Sequence, residues 1–157
     1  MRDGGRIAAA IEILETLETQ HQPVKDAVRD WGKAHRFAGS GDRAWIGGLV
    51  LDALRHKLSV SHAMQDGGAR SLALGTAGRV WGMPADELDE MFDGDEHAPD
   101  KLSEAEREGL ARDISDAPMY VRGDFPEWLE ESLVRAFGEA AAEEGKQLSS
   151  RAPVDLR

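Results

Sequence analysis

Apolar residues along this 157-residue chain recur at three- and four-residue intervals, and strict apolar/polar alternation is nearly absent. That period suits one face of a helix and does not suit a strand, whose faces exchange at every residue. The chain is therefore expected to be all-α. Alanine, leucine and glutamate are abundant and only six prolines occur, so few positions interrupt the pattern.

The punctuation divides the chain. A first helix is expected over residues 4–20, with Ile7, Ala10, Ile11, Leu14 and Leu17 on one face. Gln22-Pro23 breaks it, and a second helix over 23–37 buries Val24, Ala27, Val28, Trp31 and Ala34. After the loop Ala38-Gly39-Ser40-Gly41, Asp42 is the expected N-cap of a central third helix running to about Leu58. Gly47 and Gly48 inside it cost about 1 kcal/mol each relative to alanine, which suits a close crossing by another part of the chain. A fourth helix spans 66–82 with Ala69, Leu72, Ala73, Thr76 and Val80 inward, and a short one follows from Pro84 to Met91. Ser103 and Glu106 are spaced as a capping box opening a helix to about Ile114. Pro126 to Gly138 is expected to turn Trp128, Leu129, Leu133, Val134 and Phe137 inward, and a final helix runs to about Leu148. About seven helices in two packed sub-bundles result: an N-terminal one over 1–92, an acidic one over 93–150, and an extended segment over 151–157.

Charge is distributed unevenly between these parts. The net charge is −11, which by itself disfavours a polyanionic partner. Residues 1–82 hold 11 Lys and Arg against 9 Asp and Glu, whereas residues 83–157 hold 8 against 21. The acidity belongs to the C-terminal half, leaving the N-terminal half free to present a basic face. Lys25, Arg29, Lys33 and Arg36 are spaced four, four and three apart, within an arc of about 80° on a helix and opposite the apolar stripe. Arg43 extends this ridge if the two helix ends converge. Such cations neutralise phosphates and release counterions. Any solvated helix face is also charged, and Asp26 and Asp30 dilute the field.

Other chemistry finds little footing. With no cysteine in the chain, cysteine nucleophiles and disulfides are excluded. His21, His35, His56, His62 and His97 show no metal-type pairing. Asp93, Asp95 and Glu104 sit at positions 1, 3 and 12 of a notional calcium loop, but Ala98 stands where its turn needs glycine, so a solvated acidic linker is expected. Asp52 and His56 lie four apart without a third partner. No nucleotide-binding glycine motif follows a strand pattern. No apolar run approaches the roughly 20 residues of a membrane span, so no membrane partner and a cytoplasmic location are expected.

Two segments carry a resemblance. Asp42-Arg43-Ala44-Trp45-Ile46 running into Leu49-Val50-Leu51-Asp52-Ala53-Leu54-Arg55 looks like the central helix of a NusB-like domain. Pro126-Glu127-Trp128-Leu129, followed by Leu133, Phe137-Gly138 and Ala152-Pro153-Val154-Asp155-Leu156-Arg157, is similar to the stretch that leads into the catalytic region of bacterial RNA cytosine-C5 methyltransferases of the Sun, or RsmB, family. The resemblance implies a NusB-like helical bundle that holds or orients ribosomal RNA, 16S in particular, with Lys25, Arg29, Lys33, Arg36 and Arg43 as its contacts. It also implies a following domain that binds S-adenosylmethionine and carries two catalytic cysteines. None of those catalytic or cofactor residues maps onto this chain, so no catalytic, metal or cofactor-binding residue is expected in it, and its protein partner would be that methyltransferase domain. A free-standing NusB-like antitermination factor and a helical protein-interaction module are the alternatives.

Overall fold

The computed structural model describes residues 1–152, and all regular secondary structure among these is helical, with no strand. The segments are α1 (Asp3–Gln20), α2 (Val24–Ala34), α3 (Ser40–Arg55), α4 (Lys57–Met64), α5 (Ala69–Gly75), α6 (Ala85–Phe92), α7 (Glu104–Ala111), α8 (Met119–Arg122), α9 (Glu130–Phe137) and α10 (Ala141–Ser149). A π-helical turn, Thr76–Val80, continues α5, and 3-10 turns at Glu127–Leu129 and Gly138–Ala140 flank α9.

The core is built where α1, α3 and α5 meet. Ile7, Ala10, Ile13 and Leu14 of α1 are buried against Ile46, Leu49, Val50 and Ala53 of α3 and Leu72, Ala73 and Leu74 of α5. Eight of these are aliphatic side chains larger than alanine, each contributing about 1.5–3 kcal/mol on burial. Between the two halves, α4 packs on α5, α7 and α8. At the end of the chain, α10 packs on α8 and α9.

Several expected boundaries move, each for a local reason. The second helix stops at Ala34, because the His35 ring stacks on Trp31 at 4.3 Å and the backbone turns out of the helix there. Asp42 is not the N-cap of α3; Gly39 is, and the Asp42 carboxylate reaches back to accept its N–H at 3.0 Å. The helix expected to reach Leu58 breaks at His56, where α4 begins a separate direction, and α8 is likewise a segment that periodicity did not single out. In the π turn, Trp81 N–H donates to the Thr76 carbonyl, five residues back, and the wider turn swings Val80 outward to 37 % exposure instead of inward. The capping box stands as expected, with Ser103 accepting from the Glu106 N–H at 3.2 Å and Glu106 accepting from the Ser103 N–H at 2.8 Å.

The largest correction concerns the last helices. No residue of α9 is buried, Trp128 is 77 % exposed and Phe137 46 %. The helical period is there, but α10 covers the apolar side only in part: Leu129 and Leu133 are half-buried, while Trp128, Val134 and Phe137 are left exposed.

Candidate nucleic-acid interface

Amphipathicity places α2 with Ala27 and Trp31 in the core and its charged side in water. The Trp31 indole donates to Glu12 of α1 at 2.8 Å, fixing the roll of α2 on the bundle. Lys25, Arg29 and Lys33 are consequently exposed on one side of it, as the spacing requires. Arg36 lies beyond the helix end, in the turn that His35 initiates, and is also exposed.

Carboxylates take part of the positive charge. Arg29 pairs with Asp26 at 2.6 Å and with Asp30 at 3.0 Å, and Lys33 reaches Asp30 at 3.3 Å. Those contacts hold the Asp30 carboxyl below its usual range, Arg29 first and Lys33 second. Exposed pairs of this kind are worth roughly 0–1 kcal/mol, so a phosphate competes with them at small cost. Lys25, Arg36 and Arg43 have no carboxylate within 4 Å among the described residues, so they form the uncompensated part of the ridge.

The two helix ends do converge. The Arg43 side chain of α3 crosses α2 at Gly32, where an added Cβ would lie only 2.8 Å from Arg43 Cδ, and Arg43 Nε donates to the Ala38 carbonyl at 3.1 Å. Beyond Arg43 the basic face continues into a groove of about 550 Å³ along α3, floored by Ala44, Gly47 and Gly48 and edged by Arg43, Arg55 and Arg151. Gly47 accommodates Val28 of α2, and Gly48 faces the Arg151 guanidinium 3.0 Å from the place of its absent Cβ. The small residues of the third helix thus answer two different approaches, by α2 and by the chain leaving α10. Leu51, 43 % exposed, lies on the same groove.

A second crevice of about 640 Å³ joins this groove, sharing Ala44, Gly48 and Arg151, and is walled by Trp45 and Trp81. The indoles meet edge to face, with centroids 4.9 Å apart. Asp52 organises the junction. Nearly buried, it accepts from Trp81 Nε1 at 2.8 Å, from Arg55 at 2.8 Å, and from Arg151 Nε at 3.0 Å. Burial alone would push the Asp52 carboxyl up; the hydrogen bonds from Arg151, Trp81 and Arg55 together hold it below the ordinary aspartate range. Arg151 also lies over the Trp81 ring, 5.8 Å from its centroid. Residues 153–157, expected as an extended segment, lie outside the described residues.

At the other end of the ridge an aromatic tip borders a concavity that it shares with Met1, Arg2 and the acidic loop residues Asp95 and Glu96. Phe37, 71 % exposed, meets the His35 ring edge to face at 5.7 Å, beside Arg36. Flat rings next to a cation offer a stacking surface for unpaired bases. Trp31 and Trp128 do not contribute such a pair: Trp31 is core, and Trp128 is exposed far along the sequence in the acidic half.

One cluster has the residue types of a nucleophilic site without its geometry. Asp124 accepts from His56 Nδ1 at 3.2 Å and from Ser59 Oγ at 2.6 Å, both on the same oxygen. A relay needs histidine between serine and carboxylate. Here the carboxylate caps α4, its second oxygen accepting the Ser59 N–H at 2.8 Å, and the left-handed backbone of Asp124 (φ 52°) is the cost of reaching it. The acidic loop is likewise structural: Asp95 accepts from the Gly5 and His97 N–H groups and Lys101 pairs with Asp93 at 2.7 Å, while no group of three potential metal ligands occurs among the described residues.

The exposure of Lys25, Arg29, Lys33 and Arg36 agrees with their spacing, whereas the groove along α3 leaves no such mark in the sequence. Asp52 was visible only as a neighbour of His56, whereas its anchoring partner Arg151 is 99 residues away, and spacing carries no trace of that contact. The one available signal was the glycine pair on α3. No known protein-family model matches the chain, and neither the curated proteins nor the solved structures contain a match to it. No helix among the described residues is long and apolar enough to cross a membrane.

Proposed function

We propose that this chain is the RNA-binding and RNA-orienting helical region of an S-adenosylmethionine-dependent 16S rRNA cytosine-C5 methyltransferase, folded as a NusB-like bundle, with the catalytic domain outside these 157 residues. The observation that carries it is the continuity of positive charge in an acidic chain: Lys25, Arg29, Lys33 and Arg36 connect through Arg43, seated on Gly32, to the groove edged by Arg55 and Arg151. Guanidinium groups along a concave track suit a phosphate backbone, and the nearby rings of Phe37, Trp45 and Trp81 suit bases. The resemblance at Asp42–Arg55 and from Pro126 onward supports the methyltransferase context, and a chain without cysteine fits a reading in which a separate domain carries the chemistry of that family. On this reading the uncovered side of α9, with Trp128, Val134 and Phe137, is where the protein's own methyltransferase domain sits.

Labelled 16S rRNA fragments titrated with the chain test the proposal. Lys25→Glu combined with Arg36→Glu, which leaves every described ion pair intact, is expected to weaken binding about tenfold or more at low salt, about 1.4 kcal/mol at least. Unchanged affinity in that variant would remove α2 from the interface.

A further inference from the structure

A separate concavity of about 400 Å³ opens where α4 begins, between the π turn, α8 and α10, and is lined by His56, Arg79, Arg122, Asp124 and Lys146. Three of these are cations, brought together from positions 43 and 24 residues apart, with Arg122 and Lys146 coming from the acidic C-terminal half. The single carboxylate among them is already committed. Both oxygens of Asp124 accept bonds from the start of α4, and its side chain is only 3 % exposed.

The two arginines are held in place by backbone carbonyls rather than by carboxylates. Arg79 donates through one nitrogen to the Gly109 and Leu110 carbonyls at 3.0 and 2.9 Å, and Arg122 Nε donates to the Ala117 carbonyl at 3.0 Å. Neither arginine has a carboxylate within 4 Å among the described residues, and Lys146 meets only Glu143, at 3.8 Å. Arg79 is partly buried, and its burial, then repulsion by Arg112, make its charge harder to hold than in water, an effect that the Asp113 carboxylate offsets only in part. A guanidinium fixed by backbone carbonyls is pre-oriented, so an incoming anion meets donors that need no further ordering. The π turn puts Arg79 there, an irregularity of the kind often found at functional sites.

We propose that this crevice is a phosphate-binding site, in which Arg79, Arg122 and Lys146 receive the oxygens of one phosphate group. It is independent of the α2 ridge. His56 and Val80 line both this crevice and the Trp45–Trp81 crevice, so the phosphate belongs either to a polynucleotide strand lying along α3 or to a free phosphate compound.

Titrating the 15N-labelled chain with inorganic pyrophosphate, and separately with a short single-stranded oligoribonucleotide, tests the site. Pyrophosphate is expected to shift the amides of Val80, Gly123 and Lys146 and the Arg79 Nε–H, saturating in the millimolar range. Lys146→Gln, at an exposed position that holds no part of the fold, should weaken this about fivefold, and Lys146→Arg should restore it. Oligonucleotide shifts at the same amides, displaced by pyrophosphate, identify a strand as the source; pyrophosphate shifts without oligonucleotide shifts there identify a free anion. Absence of pyrophosphate shifts up to about 10 mM, or shifts indifferent to Lys146→Gln, overturns the site, whatever the α2 variants do to RNA binding.

Discussion

Replacing Asp52 by alanine is expected to destabilise the protein by about 2–3 kcal/mol, lowering its thermal midpoint by roughly 5–10 °C. The substitution leaves the partly buried Trp81 indole N–H without its acceptor and releases two arginines that the carboxylate gathers. Arg55 and Arg151 are 41 % and 58 % exposed, so water recovers most of their charge and the indole dominates the loss. Asp52→Asn retains an acceptor and should lose about half as much. Because the folded carboxyl lies below its unfolded value, its contribution is present above about pH 4 and disappears as pH falls through the depressed folded value. Wild type and Asp52→Asn should therefore differ at neutral pH and converge in acid. Thermal melts across that range check both statements, and an Asp52→Ala midpoint equal to wild type would contradict the anchoring of Arg151 and Trp81.

Gly145→Ala gives the second large effect, and its sign is diagnostic. In an exposed helix alanine gains about 1 kcal/mol over glycine. Gly145 is buried in α10, and an added Cβ would lie 2.4 Å from the Gly123 carbonyl oxygen and 2.6 Å from the Phe125 ring. The nearer atom is backbone and cannot swing aside, so α10 must lift from α8. A net loss of about 2–3 kcal/mol is expected, with valine worse. Amide exchange should accelerate in α8 to α10 while α1, α3 and α5 stay protected. A midpoint at or above wild type would show that α10 does not cross so closely.

What could be read from the sequence followed from local causes. The buried side of α1, the sense of α2, and the Ser103–Glu106 capping box all depend on residues within four positions of one another. The inward side of α9 failed for a different reason: periodicity shows that a helix has an apolar side but not whether the same chain covers it. Val80 was lost to the π turn, whose extra residue shifts the phase of everything after Thr76. Arg36 left its helix because His35 stacks on Trp31, a side-chain preference that spacing does not encode. The Arg151–Asp52 bridge and the convergence of Arg79, Arg122 and Lys146 are products of topology, joining residues that no window along the chain contains together.

The salt dependence of RNA binding measures the central claim most directly. Three uncompensated cations on the α2 face, or five if phosphates displace Asp26 and Asp30, give a slope of log K against log salt between about −2 and −3.5 on single-stranded RNA. The same titration with Lys25→Glu and Arg36→Glu should flatten that slope by about 1.4. A slope near zero, or one that the double variant leaves unchanged, would contradict an RNA interface on α2 and Arg43.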